Sequence, residues 1–148
     1  MRLLIQRVKR SIVHVDGRVV SEIKKGLSVF VGIGVDDNDE DIRKLAEKLV
    51  NLRIFEDDAG KMNLNLAQAK GEVLSVPQFT LFADTSRGNR PGFELSAKPD
   101  RARILWEEFN SLLKSLGAEV KKGVFGSHMD IELVNDGPVT IWLDSKSD

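Results

Sequence analysis

The chain contains no cysteine. Disulfides, thiolate zinc centres and cysteine nucleophiles are therefore excluded, and a reducing compartment is the natural setting. Histidine is scarce as well, with His14 and His128 the two copies. His14 falls within a strand-like alternation and reads as structural, whereas His128, in "GVFGSHMD", falls in a loop and is the better chemical candidate. No apolar run approaches the roughly 20 residues needed to cross a bilayer. The amino-terminal "MRLLIQRVKR" is too interrupted by charge for a secretory signal. A cytoplasmic protein with no membrane partner is the expectation. Repeats, low-complexity tracts and linkers are also lacking, so residues 1–148 predict a single domain large enough for a real core.

Familiar catalytic and ligand motifs are missing too. "GLSVF" around Ser28 lacks the second glycine of a nucleophile elbow and sits in an uncharged, strand-like run. "DDNDED" at 36–41 lacks the central glycine of a calcium loop, and there is no HExxH pair. "GIGVDD" opens like a dinucleotide loop but has no third glycine, and would set two aspartates against phosphates. Neither metal nor cofactor is expected. The formal net charge is −1, which names no partner. Its distribution is uneven: residues 1–25 carry seven Lys/Arg against two acids, and residues 35–60 carry nine acids against four bases. A basic face for an anionic ligand and an ordinary solvated surface both fit this asymmetry.

What is present reads as alternating sheet and helix. "LLIQRV" is a strand, and "SIVHV-DG-RVVSEI" a hairpin turning at Asp16-Gly17. "LSVFVGIGV" suits a strand buried on both faces. Ile42, Leu45, Ala46, Leu49 and Leu52 recur at helical spacing, behind an acidic cluster in which Asn38 or Asp39 can cap. "RIFEDDAGKMNLNL" reads as a strand end and a turn, and "GEVLSVPQFTLF" as a strand interrupted by Pro77. Pro99 opens a second helix whose apolar face is Ala102, Leu105, Trp106, Phe109, Leu112, Leu113 and Leu116, with Gly117 at its end. "AEVKKGVF" is strand again. Finally "IELV" and "VTIWL" flank Asn135-Asp136-Gly137, a strong hairpin signal, although Pro138 brings no N–H to the second strand. Two amphipathic helices must bury their stripes on sheet, so a layered α/β domain is predicted.

Two proline-bearing irregularities, "SVPQFTL" and "NDGPVT", and the arginine-rich loop "SRGNRPGF" remain. An edge strand or a bulge accounts for the prolines. So does chemistry performed by exposed backbone groups, since main-chain N–H donors can form an oxyanion hole without a reactive side chain.

Five segments, in order and spanning nearly the whole chain, add a resemblance: "LIQRV", "GKMNLNL", "PQFTLFAD", "RGNRPGF" and "LVNDGPVT". Together they resemble the D-aminoacyl-tRNA deacylases. The resemblance implies that family's fold, a single layered α/β domain in which a mostly antiparallel, barrel-like sheet carries two amphipathic helices. It also implies a cytosolic homodimer that hydrolyses the ester joining a D-amino acid to the 3′ end of tRNA. The resemblance further implies that no protein side chain acts as nucleophile. The family's "N-x-G-P-V-T" is met by Asn135, Gly137, Pro138, Val139 and Thr140, and its "SQFTL" by Gln78, Phe79, Thr80 and Leu81, with Pro77 where the family has serine. Neither a hydroxyl nor an N–H is then available at position 77. An animal paralogue with relaxed chirality also has proline there, but differs in the following residues and in its Gly-Pro segment.

From the resemblance, Gly137 and Pro138, joined by a cis bond, form a chiral gate offered to the partner subunit's site. They take the substrate's ammonium group so that the Cβ of an L-residue strikes the protein; glycine, with no Cβ, is expected to pass. Main-chain N–H groups of Gln78, Phe79 and Thr80 are the catalytic candidates, with the 2′-hydroxyl of the terminal adenosine assisting proton transfer. Arg7 is expected to hold the Gly-Pro segment or the pocket wall, and Phe125 and Met129 to line the adenosine pocket. Arg87, Arg90, Lys121 and Lys122 are candidate contacts to tRNA phosphates. A non-catalytic tRNA-binding module and a side-chain esterase using His128 are the alternatives.

Overall fold

The computed structural model describes residues 1–147. Its central element is β1 (Arg2–Val15), a single strand of 14 residues rather than the two shorter runs the sequence suggests. Leu3, Ile5 and Val13 point inward and are fully buried. β1 is long enough to carry two partners end to end along one edge. β2 (Arg18–Ile23) pairs with its second half and β3 (Gly26–Gly32) with its first, both antiparallel. The Asp16-Gly17 turn between β1 and β2 has positive φ at both residues, as a two-residue hairpin demands. β3 is buried along almost its whole length, as its uncharged sequence predicts. It pairs in parallel with β6 (Glu72–Pro77), which pairs in parallel with β7 (Glu119–Lys122). The sheet is therefore mixed, antiparallel around β1 and parallel beyond β3. It curls until β2 nears β7, where the Ser21 hydroxyl donates to the Lys122 carbonyl, leaving a nearly closed barrel.

Two helices cover the sheet. α1 (Asp39–Asn51) is capped by Asn38, whose side chain accepts the Glu40 N–H at 2.9 Å while Asp41 accepts the Asn38 N–H at 3.0 Å. Its buried Ile42, Leu45, Ala46 and Leu49 share one core with Leu3, Ile5 and Val29. α2 (Pro99–Ser115) opens on the proline and adds Ala102, Leu105, Trp106, Phe109 and Leu113 to that core; Leu116, just beyond it, stays at the surface. A short ribbon, β4 (Phe55–Glu56) with β5 (Met62–Leu64), completes the fold apart from the last strand. Among the described residues, no helix is long and apolar enough to cross a membrane.

Burial alone would raise the Asp41 carboxyl, but hydrogen bonds from Lys146, Ser145 and the Asn38 N–H, together with the amino-terminal charge, hold it down at about 2. Its ordinary value is 3.8. A depressed carboxylate stabilises the fold above its unfolded pKa and loses that contribution as pH falls through the folded one. Asp41→Asn is therefore expected to cost about 1–2 kcal/mol at neutral pH. Its urea midpoint should converge on that of the parent between about pH 4 and pH 2.

The largest departure from the sequence reading concerns "NDGPVT". No hairpin forms there. Residues 130–144 make one strand, β8 (Asp130–Asp144), antiparallel to β1 from Arg2↔Asp144 to His14↔Asp130. Between Gln6↔Thr140 and Val8↔Asn135 the strand takes five steps while β1 takes two, so three extra residues bulge out. Turn-forming residues are consumed in the bulge, and the proline's missing donor costs nothing because the ladder is already open.

Candidate active site

The bulge is fixed from beneath and from the side. The Asn135 side-chain amide donates to the carbonyls of Arg7 and Val139, each at 3.0 Å, so one side chain spans its neck. The Gln6 amide reaches Asn135 Oδ1 at 3.4 Å and Thr140 Oγ1 at 3.3 Å. Arg7 is 4% exposed and donates to the Ile54 carbonyl at 2.6 Å, with Nε 3.2 Å from Asp136 and Nη2 3.7 Å from Glu56. Two carboxylates compensate this buried cation, and one of them adjoins Gly137. Gly137 has φ +119°, and a Cβ there would lie 2.9 Å from Val139 Cγ2 and 3.0 Å from Arg7 Nη2. Only glycine fits this backbone. The Gly137–Pro138 peptide bond is cis.

The second locus forms where β6 ends. "PQFTLF" does not continue as strand: Pro77 is the last β6 residue, and Phe79–Phe82 form a short 3₁₀ turn. The Gln78 N–H donates to the Val31 carbonyl at 2.8 Å and is committed to the sheet edge. This corrects the expectation that Gln78 supplies a free main-chain donor. The N–H groups of Phe79 and Thr80 have no acceptor among the described residues, because the first turn of a helix leaves its donors unpaired. Both residues are exposed. The Thr80 hydroxyl accepts from the Gln78 side chain.

Phe79 lines a pocket of roughly 750 Å³, and Thr80 follows it just outside the lining. Gln78, Phe79, Phe125 and Met129, far apart in sequence, all line it. Its wall also holds Val31, Ile33, Phe93 and Trp106, which the sequence did not mark as site residues. Phe93 meets Phe79 edge to face at 4.9 Å, and Trp106 faces Phe125 at 5.8 Å. Trp106 reads from sequence as core, and its indole N–H is indeed anchored inside, on Ser75 Oγ at 2.9 Å. An apolar, aromatic-walled cleft with a few polar groups at its rim is the usual build of a small-ligand site.

Other named residues stand apart. Gly137, Pro138 and Arg7 do not line this pocket. Ile131 does, and Gly137 lies six residues further along β8, roughly 20 Å at strand rise. Arg87 and Arg90 flank a smaller hollow shared with Asp84 and Glu94. Lys121 is 3.8 Å from Glu119, while Lys122 is held by Glu107 at 2.7 Å and lies over the Trp106 ring. His128 is on the pocket rim, its side chain 94% exposed and its Nε2 3.8 Å from Asp130, with no hydrogen-bond partner among the described residues to orient it. Among the described residues, no group of three His, Cys, Asp or Glu side chains is gathered for a metal. Such a site can bind an apolar or aromatic moiety and present two N–H donors to an oxyanion, without a side-chain nucleophile.

Comparison with known proteins gives a consistent picture. The sequence profile of the D-Tyr-tRNA(Tyr) deacylase family matches residues 4–144. A D-aminoacyl-tRNA deacylase of Thermosipho africanus is 54% identical over 146 residues, covering 99% of this chain and 98% of that protein. One from Deinococcus radiodurans is 56% identical over 144 residues, covering 97% and 99%. Among solved structures, the c-Myc DNA unwinding element binding protein superposes with a TM-score of 0.93 at 35% identity, over 97% of this chain and 98% of that one. A probable eukaryotic D-amino acid tRNA deacylase shares the fold, with a TM-score of 0.81 at 18% identity over 96% of this chain and 97% of that one.

Proposed function

The chain belongs to the D-Tyr-tRNA(Tyr) deacylase family, and from that premise we propose that it hydrolyses the ester of D-aminoacyl-tRNA, releasing the free D-amino acid and tRNA. Glycyl-tRNA is a further substrate of the proposed reaction. It serves chiral proofreading in the cytoplasm, where charged tRNA is consumed. The observation that supports the mechanism is the pair of N–H groups of Phe79 and Thr80 without an acceptor among the described residues, Phe79 itself lining the aromatic pocket.

The terminal adenosine occupies the pocket against Phe125 and Met129, which sets its 3′-ester before the 3₁₀ turn. Water attacks the ester carbonyl, whose electron pair moves onto oxygen as the two N–H groups stabilise the growing charge. Collapse expels the ribose 3′-oxygen, which takes up a proton. The adjacent 2′-hydroxyl assists these proton transfers. The discrimination is chiefly repulsive: Gly137 and Pro138 accept the α-ammonium, and an L-side chain would then collide with the wall. Neither residue lines the pocket of its own chain, which supports the reading that a second copy brings them to it. A homodimer is the proposed working unit. Arg87, Arg90, Lys121 and Lys122 are the proposed phosphate contacts, and would make tRNA binding weaken as salt rises.

Thr80→Ala tests the backbone mechanism. It deletes the hydroxyl and keeps the N–H, so kcat is expected to stay within a few-fold of the parent. Losing a true oxyanion donor costs about 10²–10³-fold, and a loss of that size in a folded Thr80→Ala protein would make the hydroxyl the catalyst. A His128 esterase would instead be silenced by His128→Ala, and a non-catalytic tRNA-binding module would leave both D- and L-esters intact.

A further inference from the structure

We propose that Arg2 is a positioning residue for the reaction, fixing the 3₁₀ turn that presents the Phe79 and Thr80 N–H groups. The proposal rests on those two groups being the oxyanion donors. A helix of four residues does not hold itself in place: it is little more than one turn, closed at its ends by Leu81 N–H to the Gln78 carbonyl at 3.3 Å and Ala83 N–H to the Thr80 carbonyl at 3.0 Å. Its location must come from outside. The start of the turn is tied to β3 through Gln78 and Val31, and close packing continues there, since a Cβ on Gly32 would lie 3.0 Å from Leu81 Cβ.

The far end of the turn is tied by Arg2. Its Nη1 donates to the Leu81 carbonyl at 2.9 Å, and its guanidinium lies 4.4 Å above the Phe82 ring. Arg2 is in turn held on β8, by Asp144 at 2.9 Å to Nε and by the Trp142 ring at 5.6 Å. One guanidinium thus joins the strand ladder to the turn through two donors in fixed relative orientation and one stacking plane. An ammonium is a point charge and reproduces neither the fork nor the stack. Arg2 does not line the pocket, so its influence on the reaction passes through the turn.

Such a residue acts on the transition state more than on substrate binding, because the charge on the carbonyl oxygen appears only there. Arg2→Gln and Arg2→Lys are expected to lower kcat on D-tyrosyl-tRNA by about tenfold or more, with KM changed less than about twofold. Asp144→Asn, which loosens Arg2 without removing it, should fall between them and the parent. Ile42→Val, a stability control in the α1 core, should keep parental kcat at a matched loss of urea midpoint. Parental kcat in the folded Arg2 and Asp144 variants overturns the proposal. So does a rise in KM at constant kcat, which would make Arg2 a tRNA contact. Should Arg2→Gln not fold, Arg2→Lys and Asp144→Asn decide in the same way. An inactive parent would instead refute the proposed hydrolysis itself, so the two failures are distinguishable.

Discussion

Gly137→Ala is expected to lower D-tyrosyl-tRNA hydrolysis by roughly 10²-fold, the scale of loss that follows a misplacement of about 1 Å at a reacting centre. The added methyl has no place to go: Val139 Cγ2 would lie at 2.9 Å, Arg7 Nη2 at 3.0 Å and the Val139 N at 3.1 Å. A φ of +119° is also a region that L-residues avoid. Arg7 cannot yield cheaply, because it is bound to the Ile54 carbonyl and paired with Asp136 inside the protein. The bulge must therefore move, taking the proposed ammonium acceptors with it. Of the side chains it meets, Val139 only borders the main core and none of the fully buried apolar residues under β1 is in contact, so the damage should be local. Steady-state rates beside a urea midpoint separate the two effects. Near-parental activity in Gly137→Ala would remove the Gly-Pro segment from the reaction.

The second large effect lies in the substrate. Replacing the terminal adenosine by its 2′-deoxy analogue is expected to slow turnover by about 10²–10⁴-fold, the usual contribution of general acid–base assistance. The pocket rim offers few rivals for that role. The Gln78 amide does not titrate, the Thr80 hydroxyl is engaged by Gln78, and His128 is exposed with Asp130 no nearer than 3.8 Å. Single-turnover hydrolysis of matched ribo and 2′-deoxy substrates measures the effect directly. Equal rates would require a proton carrier in the protein, and His128→Ala would then be the variant to make.

Much of the fold is legible in the sequence because its signals are local. Helical spacing locates Ile42, Leu45, Ala46 and Leu49, a polar cap locates Asn38, and Asp16-Gly17 marks a turn that forms as written. What escapes depends on partners distant in sequence. "NDG" is a turn signal wherever it occurs, and only the 14-residue reach of β1 decides that β8 runs straight through it as a bulge. Parallel pairing of β3 with β6 and of β6 with β7 leaves no trace in any one strand. "QFTLF" alternates like a strand, yet Pro77 ends the ladder and the next turn tightens, leaving Phe79 56% exposed.

The site divides in the same way. Phe125 and Met129 come from the resemblance, and both are among the residues that line the pocket together with Gln78 and Phe79. Phe93 and Trp106 were missed because a pocket wall and a core face carry the same apolar signature. Arg2 counted only as one of several amino-terminal bases. Nothing in its neighbourhood in the chain hints at Leu81, 79 residues away.

The central claim is chiral rejection by a backbone gate, and its most direct test is deacylation of matched D- and L-tyrosyl-tRNA by the purified protein, with glycyl-tRNA alongside. The D-ester is expected to be cleaved about 10²-fold faster than the L-ester or more, and the glycyl ester, with no Cβ to exclude, should be cleaved readily. Equal rates on the D- and L-esters would contradict the gate while leaving hydrolysis standing.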